Sequence, residues 1–478
     1  MWNQLSIEVF PNQFDLCSFM RRAYQFLKGQ GFYNFPGNKV DVSELKPAKS
    51  PATFRESLRA TLIIGQAFSL IPVIGVFRST SDVRFTWLSW KFLYLFLSLC
   101  GQIFITIMCI HKVVNSQTSL NGTTPIIFYS TTCITMLMFL QVARKWPDLD
   151  RYAAKIEELD PNYDTKLTYK CNGTCAIVLA LALLEHILSL LSAFASAMVC
   201  FPDMSLYEGF VKHFYPWVFN YLPYSPLLGF MTQFLHFQST FIWNFSDLFV
   251  ICMSYYLTSR LEHVNMKLLA AQGKYLPEVF WRTTREEYGR AAQLVRKVDD
   301  VISGVVFISF ANNLFFICLQ LFNTLEHGIK GTSECSSRNQ GSTVFGGYEA
   351  AIYFLFSLIY LMARSIAVSL IASQVNAASN TPAPVLYDVP SPVYCVEVQR
   401  FLDQVNGDKV ALSGLQFFSV TRGLLLTVSK QCSIELDVIR LLQPSIAAKH
   451  GPFRRAIKQI ESILHRTGYL YIDVLSYK

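Results

Sequence analysis

Glu185 and His186 stand side by side in an apolar stretch, and Trp243, Asp247, Asn313, Gln320 and Tyr353 interrupt three later ones. An ionisable group in such surroundings costs about 2.5–3.5 kcal/mol on membrane-insertion scales, so each needs a partner or a ligand. Asp247 follows Trp243 by four residues and shares its helical face. Asn313 and Gln320 are seven apart, two turns along one face. His236, Gln238, Asn244, Asn312 and Arg364 add polar groups to the same stretches. Hydrogen bonds between helices, at about 0.6 kcal/mol each, would account for any one of these residues. The set suits a neutral polyhydroxylated ligand in an open-topped pocket. Carboxylates and amides bond hydroxyls in pairs, and Trp and Tyr faces stack on the C–H surface of a sugar ring. Catalysis is not expected. The sequence has no GxSxG, HExxH or phosphate-binding loop, and adjacent helical residues such as 185 and 186 point about 100° apart. Twelve cysteines without CxxC or Cys/His metal spacing imply neither a metal, nor another cofactor, nor a disulfide framework.

The elements that position these groups are long and apolar. Of 478 residues, 52% are hydrophobic and only 15% charged. About twenty apolar residues cross a ~30 Å hydrocarbon layer, and several stretches qualify, so the fold class is an all-α polytopic membrane protein. The expected spans are Trp87–Ile110, Pro125–Ala143, Cys175–Cys200, Gly229–Leu257, Val301–Phe322 and Tyr348–Ser373. An earlier run, LRATLIIGQAFSLIPVIGVF, is broken by Gln66, Pro72 and Gly75 and reads as an interfacial or partly buried helix. No cleavable signal peptide is visible, so the first span would serve as the targeting signal.

Charge orients the spans. Residues 1–87, 144–170, 259–301 and 373–411 hold twenty-six Lys and Arg; the alternate loops hold four. The positive-inside rule therefore puts the N-terminus inside. It also explains the net charge of +8 without a nucleic-acid partner. Asn121, in the sequon Asn121-Gly122-Thr123, falls outside and is a candidate for glycosylation. Cys200 and Cys335 fall on that same side, which permits a bridge between them. The expected divisions are a cytoplasmic region 1–86, spans one to four over 87–258, and a cytoplasmic anchor segment 259–300. Spans five and six over 301–373, a connector and the start of a further helix over 374–428, and a basic tail 429–478 complete the chain.

Several stretches together resemble the insect gustatory receptors, specifically the sugar-sensing branch. They are IIGQAFSLIPVIGV, RFTWLSWKFLY, LQVARKWPDL, LLEHILSLLS, WNFSDLFVICMSYYLTSRL, YGRAAQLVRKVDDVISGVVFISFANNLFFICLQL, YFLFSLIYLMARSIAVSLIAS and VQRFLDQVNGDKVALSGLQFFSVTRGLLLTV. The resemblance covers roughly residues 50–428. It implies a seven-transmembrane insect chemoreceptor fold with an intracellular N-terminus, acting as a ligand-gated cation channel subunit in the plasma membrane of taste neurons. Partners would be mono- or disaccharides, the lipid bilayer, and other gustatory receptor subunits in a homo- or heterotetramer. Sugar would bind between spans two to six, at Glu185, His186, Trp243, Asp247, Asn313, Gln320 and Tyr353.

The end of the chain departs from that pattern. Ala411–Thr421 reads as the cytoplasmic half of a helix, and Gly423–Val428 as the first turns of the pore-lining half. The family continues that helix through a Thr-Tyr-x5-Gln-Phe signature, whereas here Ser429-Lys430-Gln431-Cys432 follows. The last, pore helix is therefore expected to be truncated. The alternative to a conducting subunit is a non-conducting or regulatory isoform, or a mis-spliced gene model. A G-protein-coupled receptor would carry its N-terminus outside, against the charge asymmetry.

Overall fold

The computed structural model describes residues 53–76, 83–115, 120–161, 164, 166–327 and 349–424, all within the compact unit Ser43–Leu425. The truncated pore helix, the basic tail and Cys335 lie outside the described residues.

The chain enters through α1, Phe54–Ala67, whose N-cap Thr53 accepts a hydrogen bond from the Glu56 N–H. Phe54, Leu58, Thr61, Leu62 and Gly65 recur at helical spacing and form its buried face. Fourteen residues make about 21 Å of helix, short of a ~30 Å hydrocarbon layer. The chain then folds back into a short antiparallel pair, β1 (Val73–Ile74) and β2 (Arg84–Phe85). Long helices follow: α2 Trp90–Asn115, α3 Leu120–Leu159 and α4 Leu167–Cys200. The aromatic segment after α4 is not an open loop. It folds into α5 (Leu206–Phe214) and α6 (Pro216–Phe219), where Phe210, Val211, Tyr215 and Val218 are fully buried.

α7 (Pro226–Ala271) and α8 (Glu278–His327) run for 46 and 50 residues, joined by a turn in which Gly273 takes a positive φ of 73°. α9 (Glu349–Asn380), the short α10 (Pro382–Tyr387) and α11 (Val396–Gly407) close the bundle. The charged stretches 148–159 and 259–300 largely continue the long helices, extending α3, α7 and α8. α3 passes through Pro147 because Trp146, Leu149 and Ala153 are held in the core around it. Ion pairs fasten these extensions. Arg55 bonds both oxygens of Asp150, Arg290 both oxygens of Asp160 at 2.7 and 2.8 Å, and Lys267 meets Glu287 at 2.6 Å. Glu157 accepts from the Phe54 N–H and the Tyr256 hydroxyl, yet burial still holds its carboxyl above the usual range.

One sequence expectation fails here. Ala411–Thr421 is not helical but contains a hairpin, β3 (Ser413–Gly414) paired with β4 (Phe418–Ser419). It closes on itself through the Val420 N–H to Leu412 O bond at 2.8 Å, and its flanks bond other elements: Val410 O accepts from Asn376 and Ser379 on α9, and the Ser413 N–H reaches Asp299 on α8. Gly414 is required, since a Cβ there would lie 2.4 Å from the Phe418 ring.

Five helices, α2, α3, α4, α8 and α9, are long and apolar enough to cross a membrane. α7 lies among them, in contact with α1 and all five, and is almost wholly buried from Gln238 to Leu261. Where α1 crosses it, a Cβ at Gly65 would stand 2.7 Å from the Phe245 ring, which Phe139 and Phe249 hold in place. Gly65→Ala is thus expected to destabilise by about 1–3 kcal/mol. Gly173→Ala, on an open face of α4, should gain about 0.5–1 kcal/mol. Thermal melts of the solubilised protein should separate the two; equal shifts would sink the packing account.

Candidate functional site

The polar residues of the bundle interior lie on facing stripes. On α9, Tyr353, Ser357, Tyr360 and Arg364 are spaced four, three and four residues apart, as are Ser309, Asn313, Phe316 and Gln320 on α8. Such spacing keeps each set on one helical face. The stripes meet in two tiers.

The inner tier is built on Asp247, which is 0% exposed. It accepts hydrogen bonds from the Ser309 hydroxyl and, at 2.9 Å, from the Asn313 amide. It also pairs with Arg364 Nε at 2.7 Å. Asn244, one turn before Asp247, accepts from Arg364 and, at 2.8 Å, from the Tyr360 hydroxyl. Arg364 Nη2 donates to Asn313 Oδ1 at 3.2 Å. Its guanidinium lies 4.6 Å from the centre of the Trp243 ring and 5.4 Å from that of Tyr360. A buried pair with this many bonds holds its charges in place, because removing either partner strands the other.

The outer tier is built on Glu185, which accepts from the Ser357 hydroxyl at 2.6 Å. Gln320 donates to the same hydroxyl at 3.1 Å, and the Tyr353 hydroxyl lies within reach of Ser357 and Ser189. The separation of the tiers is the same on three helices. Ser357 to Arg364, Asn313 to Gln320, and Val178 (whose carbonyl accepts from Tyr360) to Glu185 are each seven residues, or about 10.5 Å.

The structure therefore brings together Trp243, Asp247 and Asn313 in one tier and Glu185, Gln320 and Tyr353 in the other. His186 joins neither. It faces α7 elsewhere, its ring 5.2 Å from Phe237 and 5.8 Å from His236. His236 in turn bonds the Tyr129 hydroxyl at 3.0 Å beneath the aromatic cap of Phe214, Tyr215 and Trp217. Sequence reading named Asn244 and Arg364 among the polar groups but gave them no place at the ligand, and it missed Ser309, Ser357 and Tyr360, although their four-three-four spacing with Asn313, Gln320, Tyr353 and Arg364 was visible.

Beside Trp243 lies a narrow crevice, too tight to admit a water molecule, lined by Phe128, Thr131, Thr132, Thr135, Ile242, Asn312 and Phe316. Ligand pockets usually occupy about 300–1,000 Å³, so a sugar would enter here only if the surrounding helices moved apart. The Trp243 indole N–H has no partner among the described residues. Asn121 lies in the first turn of α3. Cys200, at the end of α4, is disulfide-bonded, and its partner lies outside the described residues.

Long apolar helices packed around a buried polar stack define a polytopic α-helical membrane protein. A solved structure with the same fold is the insect olfactory receptor OR5 from Machilis hrabei in complex with eugenol. It superposes with a TM-score of 0.58 at 14% identity, covering 81% of this chain and 98% of the other. The family model of the trehalose receptor matches residues 38–443. The chain belongs to that family, within the sugar-sensing branch of the insect gustatory receptors. It is 32% identical to the Drosophila melanogaster gustatory receptor for sugar taste 64f, over 82% of this chain and 81% of that one. It is 30% identical to the gustatory receptor 5a for trehalose from the same organism, over 85% and 91%. The fold class is thus the seven-transmembrane insect chemoreceptor class expected from the sequence.

Proposed function

We propose that this chain is a sugar-binding subunit of a ligand-gated cation channel in the plasma membrane of taste neurons, assembled with copies of itself or with related subunits. The observation that carries the reading is the two-tier stack. Nine side chains from four helices present hydroxyl, amide, carboxylate and guanidinium groups to one another, with two aromatic faces alongside. Those are the groups that recognise a polyol. The names of the sugar-taste and trehalose relatives support the same ligand class.

In this structure most of these groups bond one another, while the Trp243 indole N–H has no partner among the described residues. A sugar entering beside Trp243 exchanges those bonds for bonds to its own hydroxyls, so affinity reflects a difference between two bonded networks. A glucosyl unit stacked on Trp243 with hydroxyls toward Asp247 and Asn313, and a second unit toward Glu185 and Gln320, matches the ~10.5 Å between tiers. Disaccharides fit this arrangement better than monosaccharides. Asn121 is proposed as a glycosylated residue of the outer surface.

The test is cation current from cells expressing the full chain, alone and with a related subunit, against trehalose, sucrose and glucose. Glu185→Gln is expected to shift the half-maximal disaccharide concentration about tenfold, or 1.4 kcal/mol, with surface expression unchanged. Sugar binding without current in any combination would favour the non-conducting reading. Absence of both binding and current would reject a sugar ligand.

A further inference from the structure

The ligand-facing stripe of α8 and the hairpin that precedes the last described turn of helix are joined at one carboxylate. Asp299 is buried on α8, and it accepts from the Ser413 N–H at 2.6 Å, the Ser413 hydroxyl at 2.7 Å and the Gln416 amide at 3.3 Å. One turn further, the Leu415 N–H bonds Ser303 O at 3.3 Å. Another turn on, Phe307 and Phe310 pack against Phe417 and Phe418, with centroids 5.6–5.8 Å apart. The hairpin's other flank is tied to α9, where Asn376 and Ser379 both donate to Val410 O at 3.1 Å. α8 and α9 are the helices that carry most of the polar stack. The hairpin thus sits between the middle of α8 and the end of α9, and it hands the chain on through Val420 to Arg422–Leu424.

Two properties make this arrangement a joint rather than a passive staple. α8 has no proline anywhere along its 50 residues, so it moves as a lever. Asn313, which holds Asp247, lies fourteen residues, about 21 Å, from Asp299 along that lever. The hairpin turn is also held in an unfavoured backbone state. Leu415 and Gln416 have φ of 49° and 65°, a left-handed conformation that residues with a Cβ avoid. Their immediate restraints are the bonds to Ser303 and Asp299. Release of those bonds lets the turn relax and reorients the chain beyond Val420.

We infer that Asp299 is a positioning residue of gating. Its clamp on Ser413 and Gln416 transmits movement of α8 at the polar stack to the segment that leads out of the hairpin. This inference rests on the sugar-channel reading for its trigger, but the mechanical link itself is testable without sugar.

The experiment is hydrogen–deuterium exchange on the full chain in lipid nanodiscs, following peptides from 410–420. Asn313→Ala frees one bond to Asp247 in the distant stack. We expect it to change hairpin exchange about tenfold, within the usual range of coupled sites. In an Asp299→Ala background the same change should have no further effect. Ser413→Ala, which removes only a hydroxyl, serves the same purpose if Asp299→Ala fails to fold, and should weaken the cross-effect. Hairpin exchange that ignores Asn313→Ala, or a cross-effect that persists without the clamp, overturns the joint. A structural staple would loosen the hairpin on its own account but would carry no signal from residue 313. In parallel, Asp299→Ala should lower the maximal sugar-evoked current while leaving sugar binding within about twofold. If the wild type shows no sugar response, the channel reading fails, and the exchange measurement still decides the joint.

Discussion

Arg364→Leu is expected to cost the receptor about 3–5 kcal/mol, because it leaves Asp247 charged, fully enclosed and without its cation. The residue is 4% exposed and holds three of the inner-tier side chains at once: Asp247, Asn244 and Asn313. Ser309 and the Asn313 amide are neutral donors and offset only part of the lost attraction. Trp243 would also lose the cation over its ring, worth about 0.5–2 kcal/mol. Heating the solubilised receptor and measuring the monodisperse fraction by size-exclusion gives the midpoint shift. The double change Asp247→Leu with Arg364→Leu should recover much of the loss, since a hydrophobic replacement of a whole buried pair is often neutral. If the double variant is no more stable than Arg364→Leu alone, the pair is not what holds the tier together.

Trp146→Ala should have an effect of similar size by a different route. Trp146 is fully buried where α1, α3 and α7 meet, 5.2 Å from the Phe54 ring and 6.0 Å from Phe249. Phe54 in turn meets Tyr256 edge-on at 4.9 Å. Truncation opens a large void in a region that α1 closes, at a cost of about 3–5 kcal/mol. The loss should concentrate on α1, whose N-terminal turn is otherwise held by the Arg55–Asp150 pair and the Phe54 N–H bond to Glu157. Proteolysis within residues 54–67 should therefore accelerate before the bundle as a whole unfolds. Uniform loss of all helices together would show that α1 is not a separable layer.

Much of the bundle was legible in the sequence because membrane spans are written as apolar runs. Trp243 with Asp247 and Asn313 with Gln320 could also be paired by helical spacing alone. Three things could not. The charged stretches 148–159 and 259–300 could be placed outside the membrane, since charge marks water, but not joined to the spans as unbroken helices, because a separate segment carries the same signal. His186 was carried over with Glu185 from the resemblance, and the ~100° between neighbours on a helix puts the two in different clusters. The hairpin at 413–419 was hidden in an apolar run because its backbone partners, Asp299, Asn376 and Ser379, are distant in sequence.

α7 poses a problem for biosynthesis. It is the central helix of the bundle but falls short of the apolar content that its five neighbours reach. The residues responsible are those that make the stack and its surroundings: Gln238, Asn244, Asp247 and, further along, Arg260. Emerging alone from the ribosome, such a helix meets lipid before its partners on α8 and α9 exist. Its retention in the bilayer must then depend on α2, α3 and α4 already being in place, with Gln238 finding Ser98 and the Ser239 hydroxyl finding Gln102. Chains stopped just after Ala271 should therefore slip α7 out of the membrane when Gln102 and Ser98 are replaced by alanine, and full-length chains should tolerate the same change. The chemistry that would recognise a ligand thus also sets the order in which the receptor can be assembled.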